Sequence, residues 1–210
     1  ARLGRDRYEE ALECFDKCIA AETPLGNPMH MISWCIKAQI LRTLGRRSEA
    51  LDSIDKSIDL NRPDHCPKQL LFKIRVLADL ERIPEARDLA SNFDEAGIDS
   101  AHLLNSYART LYKLGLFPKG IDVSKKAIAM NSDQARIWDT LACNLQGAGR
   151  DQEALEAFER ATSLKKDDEE ITWDVLAKLY ERTGRSKAAH DARQKFENLE
   201  AERKSVVAHK

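Results

Sequence analysis

The 210-residue sequence predicts an all-α fold, a solenoid of stacked antiparallel helix hairpins. The first observation is a repeated glycine, at a place that we call the turn position. Successive turn positions lie 34–36 residues apart, and the second of the five has Glu81 in place of glycine. A period of about 34 residues is typical of stacked helical hairpins. The five turn positions are Gly45, Glu81, Gly115, Gly149 and Gly184.

The second observation is that side chains at fixed distances from the turn position are of the same type. Apolar residues stand eleven, seven and four places before it, a spacing that lines one face of an α-helix. Small residues stand five places after it, where they let two helices approach closely. In the copy around Gly149 these residues are Trp138, Ala142, Leu145 and Ala154.

The third observation is the turn chemistry between the two helices of each copy. Glycine directly after a helix takes the left-handed conformation without steric cost. Pro84 and Pro118 each follow a turn position by three residues, in the first turn of the second helix, where a missing N–H costs nothing. Each copy therefore reads as a first helix, a tight turn and a second helix.

These columns resemble the tetratricopeptide repeat family, and the resemblance covers nearly the whole chain. The match is best at 135–168, with Trp138, Leu141, Ala142, Leu145, Gly149, Ala154, Phe158 and Ala161 in register. We expect residues 1–210 to form a single solenoid, which is a fragment because it starts at Ala1 inside a repeat. It comprises a partial repeat, 1–23, five full repeats and a polar cap or tail, 200–210. The full repeats are expected at about 31–63, 67–98, 101–134, 135–168 and 170–203.

The last second helix, 187–199, is expected to be the end cap that keeps such a stack soluble. Ala189, Ala192 and Phe196 keep the inward register. Arg193, however, stands where Phe158 stands in the preceding copy.

The resemblance implies a right-handed superhelix whose concave side is lined by the first helices. The expected groove is apolar at its N-terminal end (Ile32, Ile36, Leu71), basic in the middle and mixed in charge at its C-terminal end. An extended peptide with an acidic and an apolar segment would complement the first two zones, because arginine can hold a carboxylate with two hydrogen bonds. The alternative is a solvated lining, with the partner bound at an edge, on the convex side or at the end of the stack. The candidate peptide-binding residues are Lys68, Phe72, Arg75, His102, Asn105, Arg109, Tyr112, Arg136, Asp139 and Lys178.

Composition excludes several other classes. The net charge of −1 argues against nucleic acid as a partner, and no apolar run is long enough for a membrane span. Five cysteines without a CxxC pair argue against a disulfide scaffold or a zinc site, so we expect a cytoplasmic protein without metal or cofactor. The oligomeric state stays open.

Motifs for catalysis are also missing from the sequence: there is no glycine-rich phosphate loop, HExxH or GxSxG. Some members of the family clamp a C-terminal carboxylate, but the corresponding positions, such as Cys35 and Phe72, have the wrong chemistry. We therefore expect a non-catalytic interaction module that binds a peptide of a partner protein. The alternative is a structural or regulatory arm that docks onto another domain, catalytic or not, of a longer chain.

Overall fold

The computed structural model describes residues 2–20, 28–60, 67–164 and 173–208. These residues form eleven α-helices and no strand, which confirms the all-α prediction. In chain order the helices are α1 (Arg2–Ala20), α2 (Pro28–Thr43), α3 (Arg47–Asp59), α4 (Pro67–Asp79), α5 (Ile83–Asn92), α6 (Ala101–Lys113), α7 (Phe117–Met130), α8 (Ala135–Gly147), α9 (Asp151–Leu164), α10 (Trp173–Arg182) and α11 (Ser186–Ala208).

The chain divides into two compact units, Ala1–Ile98 with α1–α5 and Asp99–Lys210 with α6–α11. In the first unit α2 pairs with α3 and α4 with α5, while α1 packs on α2 and α4 packs on α3. The second unit holds three hairpins, α6–α7, α8–α9 and α10–α11, and α8 packs on both helices of the first of them. Stacked helix hairpins, as predicted, thus make up each unit. The single solenoid over 1–210 stays a prediction.

The turn between the two helices of each hairpin has the expected left-handed residue. The glycines have φ values between 70° and 81°, and Glu81 has φ 59°. The N–H of the following residue donates to a carbonyl in the last turn of the first helix, for example from Arg46 to Leu41 and from Arg150 to Leu145, both at 2.9 Å. This Schellman closure satisfies a carbonyl that the helix itself leaves open, which explains why the turn position favours glycine.

Small side chains mark the places where the helices of a hairpin meet. Ala38, Ala108 and Ala142 of the first helices and Ala50 and Ala154 of the second are fully buried. The third hairpin of the chain has glycine here, Gly120, because the amide of Asn144 occupies the space that a β-carbon would need. The Asn144 amide donates to the Thr140 carbonyl at 2.9 Å and to the Ala108 carbonyl at 3.2 Å, so it ties α8 to α6 beside α7.

Helix α11 is longer than the sequence analysis expected. The predicted cap, 187–199, and most of the predicted tail, 200–210, form one helix of 23 residues, Ser186–Ala208. No glycine or proline follows Gly184 in the sequence. With no helix-breaking residue, nothing in the composition ends the helix at 199.

Candidate functional site

The predicted groove residues of the first unit lie on one face of α4. Lys68 is exposed, and Phe72 and Arg75 are half-buried, one and two turns further along the helix. On α2, Ile32 is 42% exposed and Ile36 is half-buried. This face therefore presents both apolar and basic groups.

Leu71 was predicted to lie in the apolar zone of the groove. This prediction is wrong, because Leu71 is only 2% exposed and belongs to the core. The reason is its place ten residues before the turn position. That place is three residues from Ile74, which is fully buried, so the two side chains lie on nearly the same side of α4. The apolar surface of this unit is therefore smaller than the sequence suggested.

An ion pair links α2 to α4 in the first unit. Arg42 donates from its Nε at 2.8 Å and from a terminal nitrogen at 2.7 Å, both to one carboxylate oxygen of Asp79. The side chains are 30% and 19% exposed. Arg42 is thus occupied in holding two neighbouring repeats together.

Cys35 lies on α2 near the ion pair and is half-buried. The Gln39 amide donates to its sulfur at 3.6 Å. Burial raises the pKa of the Cys35 thiol, and the hydrogen bond from Gln39 offsets this only in part. The group is therefore a neutral thiol at neutral pH rather than a reactive thiolate.

The predicted site residues of the second unit come from three consecutive first helices, α6, α8 and α10. His102 and Arg109 of α6, Arg136 of α8 and Lys178 of α10 are all exposed. Neither of the two arginines pairs with a residue that the structure describes. The guanidinium groups of Arg109 and Arg136 are thus available to a partner.

Asn105 differs from the prediction, because its side chain is buried, with only 7% exposed. Its Oδ1 accepts no hydrogen bond from the described residues. Like Leu71, it stands ten residues before the turn position, and its i+3 neighbour, Ala108, is fully buried. Asn105 therefore belongs to the packing of the repeat rather than to the accessible lining.

Tyr112 lies at the centre of the candidate site in the second unit. Its ring is tilted on Phe117, with the centroids 5.9 Å apart, and packs against the core of the unit. Burial raises the pKa of the Tyr112 hydroxyl, and nearby Cys143, Asp174 and Asp139 raise it further. Tyr112 of α6 thus packs in one cluster with buried side chains of α8 and α10.

The first helices of the second unit carry charges of both signs. Arg109 and Arg136 are cationic, whereas Asp139 and Asp174 influence Tyr112. Lys178 reaches Asp174 only at 3.7 Å, with its side chain 64% exposed. Such a surface can bind a peptide that carries opposite charges in the matching order.

A depression lies between α10 and α11, which the sequence did not predict. Phe196, which was expected to point inward, is 36% exposed and forms one of its walls. The available signal was the residue type: phenylalanine stands twelve places after the turn position, where the two preceding repeats of the unit have Ala127 and Ala161.

The described parts of the chain hold neither a metal-binding cluster nor a membrane-spanning helix. They contain no group of three or more His, Cys, Asp or Glu side chains that could hold a metal ion. Within the same ranges, no helix combines the length and the apolar character needed to cross a bilayer.

Comparison with known proteins supports the repeat assignment. A family model for the tetratricopeptide repeat matches residues 32–64 and 135–168. No curated protein sequence matches the chain.

Solved structures share its fold at low sequence identity. MamA 41-end from Desulfovibrio magneticus RS-1 is 20% identical, with a TM-score of 0.65 over 85% of this chain and 98% of that one. YrrB, described as a TPR protein with an unusual peptide-binding site, is 20% identical, with a TM-score of 0.63 over 86% of this chain and 89% of that one. The two matched segments carry the family's repeat, and the other hairpins share its turn and packing geometry. The chain therefore carries tetratricopeptide repeats at these two segments and is similar in fold to solved tetratricopeptide repeat proteins.

Proposed function

We propose that this chain is a non-catalytic interaction scaffold that binds an extended peptide segment of a partner protein on the faces of its first helices. The observation that carries the proposal is that Tyr112 of α6 packs in one cluster with residues of α8 and α10, helices that also carry exposed cationic side chains such as Arg136 and Lys178. Proteins of this family bind other proteins or peptides, and one solved relative is named for its peptide-binding site.

The charges suggest which peptide would bind. Arg109 and Arg136 suit an acidic segment, because guanidinium groups bind carboxylates in a two-pronged geometry. In the first unit, Ile32 of α2 is exposed and Phe72 of α4 is half-buried, and both would suit an apolar side chain of a partner. The proposed partner is therefore a peptide with an acidic and an apolar segment.

A peptide array on the purified chain tests this proposal. We expect acidic peptides with a large apolar residue to bind, more weakly as salt is added. The variants Arg109→Glu and Arg136→Glu should each weaken the strongest binder about tenfold, as expected for a charged contact worth about 1.4 kcal/mol. The matched control is Lys125→Glu, which makes the same change of charge at an exposed position on α7, a second helix.

The outcomes separate the two functions under consideration. A binder that tolerates both arginine variants would place the interaction outside this face. If the array yields no ligand, the alternative gains support: an arm that docks onto another domain of a longer chain. Addition of that domain in trans would then show binding that depends on the same residues.

A further inference from the structure

Each hairpin of the second unit offers a surface to the first helix of the next hairpin, and we call this surface a seat. The seat of α6–α7 is covered by α8, and its residues Ala108, Ser124 and Ala127 are fully buried. The seat of α8–α9 borders α10, and its residues Phe158 and Ala161 are fully buried as well. A seat in this fold is therefore a helix-binding surface.

The seat of α10–α11 has no such cover among the residues that the structure describes. A depression of about 370 Å³ lies there instead. Phe196 is 36% exposed and Leu199, one turn later on α11, is 37% exposed. Three of the residues around the depression occupy the repeat positions of the covered seats: Ala177, Arg193 and Phe196. Asp174, Lys178 and Glu197 line the rest of it.

The chemistry of this last seat differs from that of the other two. Arg193 replaces the buried Phe158, and Phe196 replaces the buried Ala161. A bulky residue in place of the alanine prevents a helix from approaching as closely as α10 approaches α9. Another repeat of the same type would therefore fit poorly.

The rim of the seat carries charges of both signs. Arg193 is paired with Glu181 at its edge. Lys178 is more exposed than its neighbour Asp174, at 64% against 37% for the side chains. An occupant thus needs apolar side chains for the floor and an acidic group for the lysine.

We propose that the seat of α10–α11 binds an amphipathic α-helix of a partner protein. The argument is continuity with the interfaces inside the unit, because the same surface of the preceding hairpins already packs against a helix. The partner helix would place apolar residues one turn apart over Ala177 and Phe196 and an acidic residue beside Lys178. Phe196, the main anchor of this site, does not belong to the proposed peptide-binding face. Each of the two proposals can therefore be refuted without the other.

The test is a selection from a display library of 16-residue peptides on the purified chain. The library fixes apolar residues at positions i, i+3, i+4 and i+7 and randomises the others. Selected peptides should bind Phe196→Glu at least tenfold more weakly and should be enriched in acidic residues. Repeating the selection on Lys178→Glu should shift this enrichment toward basic residues. The matched control is Met130→Glu, since Met130 is 48% exposed at the end of α7, away from the seat.

Circular dichroism shows whether the exposed substitution Phe196→Glu leaves the fold intact; if it does not, Phe196→Ser replaces it. The proposal is overturned if no helical peptide is enriched, or if binding is insensitive to Phe196→Glu but lost in Arg109→Glu. It is also overturned if sedimentation shows a dimer of the chain that Phe196→Glu dissociates, because a second copy would then occupy the seat.

Discussion

Replacement of Gly120 by alanine tests how the packing of α7 against α8 depends on a missing side chain. A β-carbon at this position would lie 2.0 Å from Oδ1 and 2.6 Å from Cγ of Asn144. Ordinary contacts of a β-carbon begin at 3.4 Å. The Asn144 amide must therefore rotate or move, although its hydrogen bonds to the carbonyls of Ala108 and Thr140 hold it in place.

The expected cost follows from two opposing terms. Overpacking a core costs about 1–3 kcal/mol, and each hydrogen bond that is lost adds about 1 kcal/mol. Alanine in a helix is favoured over glycine by about 1 kcal/mol. We expect Gly120→Ala to lower the free energy of unfolding by about 1–3 kcal/mol, because the steric term is the larger one.

Urea unfolding followed by circular dichroism measures this change. In an Asn144→Ala background the same replacement should reverse sign and stabilise the chain by up to about 1 kcal/mol, because only the helix preference remains. The matched control is Gly149→Ala, which has no atom within 4 Å but has φ 75°. It should cost about 1 kcal/mol in both backgrounds. A stabilising Gly120→Ala in the wild-type background would refute the steric argument.

Three further predictions concern other parts of the chain. Glu81→Gly should raise the free energy of unfolding by about 1 kcal/mol, because Glu81 has φ 59° and glycine adopts this conformation without strain. An unchanged midpoint in urea unfolding would contradict this. The pKa of the Tyr112 hydroxyl is raised in the folded state, so the contribution of the neutral hydroxyl to stability is fully present below pH 10 and is lost as the pH rises further. Asp174→Asn should lower the midpoint of the Tyr112 titration, which ultraviolet absorbance measures. Asp79→Asn should destabilise the chain by about 1–2 kcal/mol in thermal unfolding, since Arg42 loses a charged acceptor, and equal stability would show that the pair contributes nothing.

The repeat architecture could be predicted from the sequence because packing and backbone geometry impose it on every copy. Gly45 and Gly149 have positive φ, and Ala50 and Ala154 are fully buried. Each of these requirements leaves few residue types, so the same letters return at the same distance. Glu81 shows the limit of this rule, since the turn keeps its conformation although the glycine is lost.

The lining of the candidate site was predicted less well because one helix position can face either the core or solvent. Leu71 and Asn105, expected in the groove, are 2% and 7% exposed. Arg109, four residues after Asn105, is exposed. Which of these positions is covered depends on how the neighbouring helices pack, and a single-helix pattern does not contain that information.

Gly120 and Phe196 show that a departure from the repeat has two possible meanings. Gly120 replaces the usual alanine because the neighbouring Asn144 fills the space, so a second change inside the core compensates for it. Phe196 replaces a buried alanine, yet it is 36% exposed, and no described residue fills the depression beside it. A departure with a compensating neighbour maintains the fold, whereas one without it leaves apolar surface in water at a cost of about 25 cal/mol per Å². A partner that covers Phe196 would therefore remove this apolar surface from water.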